Sequence, residues 1–345
     1  MRNHARHYGT AGIVVLAVLS VTAALVGGNP SHADESKWTL RFEPVYVSAY
    51  GQDQHVMKIH EMDFDSTPWT DSTTGVNLET DSGLAYRLVF ERTTGAWSWG
   101  LDWFAFANSL SAADRTAAAD GEGGMIDVVV FQTAGRDYAS TGPDEVLFYN
   151  LLEDNDLAMW TADFYGTRAL VESEKSSLHL QFALRMADFD NDYRAVVGVL
   201  DEAGTRWDAS SNYDRMNGPL VALTGEIRRG KSRFEGSIGQ SVLLGSVELT
   251  RLLRDFDGPF GEEPSFTSQE QFIQNRDVAI PVTEFRFRWD YGITRSLSLG
   301  LGLDASTWWD VPVPPGVIPG EDGEVTLHEN TIVFLGLVGA VEWRF

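Results

Sequence analysis

The last fifteen residues of this chain, from Thr331 to Phe345, alternate between two chemically different faces. Val333, Leu335, Leu337, Val341, Trp343 and Phe345 share one face, while Gly336, Ala340, Glu342 and Arg344 share the other. Side chains along a strand alternate with period two, so this segment is a strand with an apolar face and a charged reverse. That pattern suits a wall with lipid outside and a polar lumen inside. It also suits an amphipathic edge strand of a soluble sandwich, so the rest of the chain must decide.

The opposite end favours export. Arg2 and Arg6 precede an apolar run over 12–26, and Ser31-His32-Ala33 offers small residues where a signal peptidase reads. Residues 1–33 are therefore expected to be a cleaved secretory signal peptide, leaving 34–345 as one domain. No later segment approaches the ~20 apolar residues of a spanning helix, so membrane residence would have to be by strands. There is no cysteine, which excludes lipid anchoring, disulfides, thiolate metal sites and a cysteine nucleophile. With Arg2 and Arg6 removed, 24 basic residues stand against 50 acidic ones, a net charge near −26. Nucleic acid is excluded as a partner, because phosphate binding needs a basic face.

Ten segments of the remaining chain alternate with period two: 38–50, 82–92, 96–107, 157–169, 177–189, 218–229, 232–248, 280–293, 296–308 and 330–345. Connections after even-numbered segments are short, and those after odd-numbered segments (51–81, 108–156, 190–217, 249–279, 309–329) are long. Short periplasmic turns alternating with long external loops define an up-and-down outer-membrane barrel. The expected fold is thus all-β: a closed antiparallel transmembrane barrel of about 10 strands. Met125 to Phe131 and Glu145 to Leu151 offer a further hairpin, which would give 12 strands or stand above the membrane. Pro44 implies a bulge or an early end in the first strand. Trp38, Trp97, Trp99 and Trp343 fall at strand ends expected to form a periplasmic aromatic girdle.

The same alternation aims Arg41, Glu43, Arg87, Glu91, Asp102, Asp163, Arg185, Glu226, Arg228, Arg233, Glu235, Glu284, Arg286, Arg288, Asp290, Asp304, Glu342 and Arg344 into the lumen. Arg185, Glu226, Arg228, Glu235, Glu284, Arg286, Arg288, Asp290 and Asp304 are the candidate constriction residues. They suit a charged gate that sorts small polar solutes. They suit equally a ladder of ion pairs that fills a narrow barrel. A closing strand with a terminal aromatic resembles the recognition signal of Gram-negative barrels, so Trp343 and Phe345 are the candidate assembly signal. The partners expected on this reading are outer-membrane lipid, lipopolysaccharide, the assembly machinery and small polar solutes.

Some strands carry a family resemblance. The stretch from Ser177 to Phe189, with Ala183-Leu184-Arg185, and the stretch Asn217-Gly218-Pro219-Leu220-Val221-Ala222-Leu223-Thr224-Gly225-Glu226 are similar to the Legionella-type major outer-membrane protein family. So are Phe234 to Gly239 and Leu243-Leu244-Gly245. Leu220 stands where that family customarily has arginine or lysine. The resemblance implies a pore-forming or passive surface barrel and supplies no catalytic residues.

Enzyme chemistry has little to build on, and no catalytic residue is assigned. His179 is expected in the lumen near the turn end, and His328 at the external start of the last strand. No nucleophile motif or oriented base surrounds either. His55 and His60 with Glu61, Asp63 and Asp65 are a conceivable metal set in the first loop. Asp188-Phe189-Asp190-Asn191-Asp192 has calcium-loop spacing but carries Tyr193 and Val199 where such a loop needs glycine and glutamate. No cofactor is expected beyond a divalent cation at this acidic outer rim. The preferred function is passive passage of small polar solutes. A plugged surface barrel with recognition or structural loops is the alternative, and a rim hydrolase comes third.

Overall fold

The computed structural model describes residues 37–50, 55–63, 70–77, 82–118, 125–130, 136–139, 147–199, 203–257, 265–312 and 329–345. Among the described residues fourteen strands run in order: β1 Lys37–Tyr50, β2 His55–Asp63, β3 Thr70–Asn77, β4 Ser82–Thr94, β5 Trp97–Ala118, β6 Met125–Val130, β7 Arg136–Ala139, β8 Leu147–Glu172, β9 Ser176–Val199, β10 Ala203–Arg229, β11 Ser232–Asp257, β12 Ser265–Gly292, β13 Leu297–Pro312 and β14 Glu329–Arg344. Ten of them close a barrel in the order β1-β14-β13-β12-β11-β10-β9-β8-β5-β4, with β4 returning to β1. Every pairing is antiparallel. The last residue completes the seam: Phe345 N–H donates to the Trp38 carbonyl at 3.0 Å, and Trp38 N–H donates to the Phe345 carbonyl at 2.8 Å. The leader expected over 1–33 lies outside the described residues.

At the turn end, two hairpins reverse through Gly95 (φ 58°) and Gly230 (φ 62°), each at the first central position of a two-residue turn where positive φ is needed. Above these turns the outer surface is apolar. Phe42, Tyr86, Phe164, Leu184, Leu223, Ile238, Phe285, Leu303 and Leu337 all face outward and exposed. Leu301 at 63% and Leu337 at 62% are more exposed than any soluble core strand would leave them. This is the belt that the sequence alternation predicts.

The strands run far beyond that belt. β8 to β12 are 24 to 28 residues long, whereas roughly 9–11 residues cross a bilayer. The expected loops 190–217 and 249–279 are therefore mostly strand. In this extension the polarity is reversed: Phe189 and Tyr193 face inward on β9, while Asp188, Asp190, Asp192 and Arg194 lie on the outer face. A bulge at Arg215 (φ 51°) on β10 shifts the parity, so Tyr213 is inward above it and Met216 below it. A second bulge at Asp310 (φ 54°) does the same for Trp308 and Val311 on β13.

Other expectations change too. Among the described residues, Met125–Val130 does not pair with 147–151. It joins β2 and β7 in a separate four-stranded sheet of order β3-β2-β6-β7, and Leu147 onward is the outer part of β8. Pro44 causes neither a bulge nor an early end. The β1–β4 register runs through it, and on the β14 side Phe42↔Val341 and Val45↔Val338 keep one register. Proline removes one donor only, and its ring is not crowded by the facing position 339, where even a Cβ would lie 3.6 Å from its Cγ.

Candidate functional site

Inside the belt the lumen is filled by a lattice of ion pairs. Arg185 on β9 is fully buried and grips Asp163 on β8 with two parallel bonds of 2.7 and 2.6 Å. The same guanidinium reaches Glu284 on β12 at 2.8 Å. Arg288 on β12 touches Glu43 at 2.9 Å, Glu235 at 2.7 Å and Asp290 at 2.9 Å. Arg233 bridges Asp290 and Glu342 at 2.8 and 2.5 Å, and Arg41 binds Glu43 at 2.7 Å. Arg87 on β4 bonds to Asp304 on β13. Bidentate and shared geometry of this kind suits arginine, whose planar fork meets several carboxylates at once.

Some of these contacts follow the wall, within a strand or between neighbours, while others cross the lumen. Arg286 on β12 donates to Asp102 on β5 at 2.6 Å. In a ring of ten strands, β12 and β5 stand five places apart, which is the full diameter. Arg288 to Glu43 and Arg185 to Glu284 each span three strand positions.

Directly above this lattice, toward the loops, the lumen turns apolar. Val45 and Val47 on β1, Phe104 and Phe106 on β5, Met159 on β8, Phe189 on β9, Tyr213 on β10, Leu243 on β11, Ile280 on β12, Trp308 on β13 and Phe334 on β14 are all buried in one cluster. With Ala85 of β4, every barrel strand contributes to it. Aromatic rings form a bridge across it. Phe106 meets Phe334 at 6.2 Å, Phe334 meets Trp308 at 6.3 Å, Trp308 stacks on Phe189 at 6.0 Å, and Phe189 meets Tyr213 at 5.3 Å. The Tyr213 hydroxyl donates to the Pro312 carbonyl. Between the two layers lies a cavity of about 40 Å³, floored by Arg87, Glu284, Arg286 and Asp304 and roofed by Phe104, Met159, Trp308 and Phe334. It has room for a few water molecules, each needing roughly 10–15 Å³.

Most candidate constriction residues thus meet in one lattice: Arg185, Glu235, Glu284, Arg286, Arg288, Asp290 and Asp304. Arg228 and Glu226 do not join it. They pair with each other, and the Arg228 side chain is 55% exposed at the turn end, because the strand has reached its rim there. His179 is half-buried and bonds to Ser177 Oγ at 2.8 Å, with no carboxylate among its contacts. The strand alternation does not predict the apolar roof. Its signal lay in stretches such as Ile332-Val333-Phe334-Leu335, where both faces are apolar and no lumen-facing polar residue appears.

The acidic run Asp188 to Asp192 sits on the outer face of a continuous strand and not in a loop. Strand geometry sets its successive outward residues roughly 7 Å apart. Among the described residues no group of three or more His, Asp or Glu is arranged to hold a metal ion. His328 and Asp65, and the side chains of His55, His60, Glu61 and Asp63, lie outside what is described. Further along the extension, Asp208 accepts from Arg206 at 2.9 Å and Arg194 at 3.0 Å, and from Arg254.

No family model matches the sequence, and no curated protein matches it. Solved structures do. The chain is similar to the outer-membrane protease OmpT of Escherichia coli, at 10% identity over 92% of this chain and 99% of that one, with a TM-score of 0.47. It is similar to the toluene transporter TodX of Pseudomonas putida at 8% identity over 91% of both chains, with a TM-score of 0.22. A FadL homologue of Pseudomonas aeruginosa follows at 7% identity over 90% and 89%, with a TM-score of 0.22. Likenesses this distant carry no weight for function, and the fold rests on the closed register itself: a ten-stranded antiparallel barrel of outer-membrane type.

Proposed function

We propose that this chain is an outer-membrane barrel closed to solutes, which anchors a projecting collar of strands and loops at the cell surface. The observation that carries this reading is the Arg286–Asp102 contact of 2.6 Å across the whole diameter, beneath an apolar roof supplied by all ten strands. A porin-like passage needs a continuous polar path lined by charges. Here the charges are paired with one another, and the layer above them is apolar. The apolar belt, the turns at one end and the Trp38–Phe345 seam fit insertion in a bilayer. The barrel is in this reading non-catalytic, with its specificity residing in the external strands and loops.

Planar-bilayer recording of the protein purified from membranes tests this directly. Silence at all voltages below dielectric breakdown is the expected result. A stable ohmic conductance that survives dilution of the protein to single insertions would overturn it and restore the channel.

A further inference from the structure

On the lipid-facing side of the turn end, tryptophan and arginine interleave across four neighbouring strands. Trp38 on β1 stands opposite Arg92 on β4, which stands opposite Trp99 on β5. One residue pair closer to the turns, Trp97 on β5 stands opposite Arg168 on β8. The Arg92 guanidinium lies 5.2 Å from the Trp38 ring, and that of Arg168 lies 5.5 Å from the Trp97 ring. Between the two cations, Trp97 and Trp99 stack nearly parallel, 5.9 Å apart with 9° between planes. Trp99 lies flat over Gly166 of β8, where a Cβ would come within 2.6 Å of the indole. A glycine is needed there for the ring to take that place.

Both guanidiniums are exposed, and among the described residues no carboxylate pairs with either. That sets them apart from Arg41, Arg87, Arg185, Arg233, Arg286 and Arg288 of the lattice, each of which meets two or more acids. Two rigid cations held on aromatic faces at membrane-interface height are complementary to a phosphodiester. The arginine fork matches phosphate oxygens, and the indoles belong at the headgroup level. We propose that this patch is a binding site for the headgroup of an anionic phospholipid in the inner leaflet, seated between Arg92 and Arg168 against Trp97 and Trp99. The site rests on the membrane reading above, but not on whether the lumen is closed.

Native mass spectrometry of the purified full-length protein in an equimolar mixture of phosphatidylglycerol and phosphatidylcholine of matched chains tests it. Each arginine near a lipid surface favours an anionic headgroup about fivefold, so the wild type should retain phosphatidylglycerol preferentially. Arg92→Gln with Arg168→Gln should abolish the preference. Lys175→Gln with Arg295→Gln, two exposed cations on other turns of the same rim, should leave it intact. Absence of preference in the wild type overturns the site, and so does an equal loss in the two double variants, which would mean diffuse rim charge. Heat-modifiable gel mobility reads insertion separately. A variant that inserts normally but loses selectivity bears on the lipid site alone, whereas failure of the wild type to insert would instead defeat the membrane reading.

Discussion

The two halves of this barrel solve opposite problems with the same architecture. Near the turns the outside is apolar and the inside charged; in the extension toward the loops the outside is mostly polar and the inside mostly apolar, with Asn191, Ser211 and Arg251 buried among the apolar side chains. β9 shows both in one strand. Leu180, Phe182, Leu184 and Met186 face out around Arg185, and then Phe189 and Tyr193 face in, with Asp190 and Asp192 on the other side. The lower half is organised by lipid, which supplies no hydrogen bonds and pushes polar groups into the lumen. The upper half is organised by water, as in any soluble sheet. The difference shows that the level of the membrane is written in the phase of the hydrophobic pattern rather than in its strength.

The comparison breaks most visibly at Arg185. Replacing it with alanine leaves Asp163 buried without its arginine and Glu284 with only Arg286 at 3.7 Å, which costs about 3–5 kcal/mol. Urea midpoints in lipid vesicles should fall accordingly. Converting the whole triad to Arg185→Met, Asp163→Leu and Glu284→Leu should recover most of that loss, because well-filled apolar replacements of buried pairs are often neutral. A triple variant as unstable as the single one would mean that the charged layer cannot be exchanged for the apolar one.

In the roof, Phe334→Leu removes edge contacts to Phe106 and Trp308 beside the internal cavity. A loss of about 1.5 kcal/mol is expected from the missing ring area and aromatic pairing. The same vesicle unfolding measures it, and bilayer conductance should stay absent because the ion-pair layer beneath still spans the lumen. An effect exceeding that of Arg185→Ala would reverse the ranking of the two layers.

How much of this was legible in the sequence follows from the same phase argument. Phe285, Phe287, Trp289 and Tyr291 alternating with Arg286, Arg288 and Asp290 reveal a lipid-facing strand, because lipid and lumen demand opposite residues. In the sequence the extension looks like loops, since its outward positions, such as Asp208, Ser210 and Asn212, look solvated wherever they stand. The lattice members were legible one by one from parity. Their partners were not, because Arg286 and Asp102 are 184 positions apart and only closure brings them together. Parity also fails across the bulges at Arg215 and Asp310, which no residue type near them announces.

The smallest expected effect lies in the extension, at Asp208. Burial pushes its carboxyl up, but hydrogen bonds from Arg206, Arg194 and Arg254 more than offset this and hold it below the ordinary carboxylate range. A carboxyl whose folded value is lowered contributes stability above its unfolded pKa of about 3.9, and that contribution disappears as pH falls through the folded value. Arg194 is half exposed, so solvent screening limits the contribution to under about 1 kcal/mol. Asp208→Asn should therefore lower hydrogen-exchange protection in β9 to β11 beyond the belt at pH 6. At a pH well below the folded value, wild type and variant should match, and the belt amides should be unaffected at either pH. A difference that persists in acid would show that the asparagine disturbs the strands themselves. Spread of the effect into the belt would show that the two halves do not respond separately.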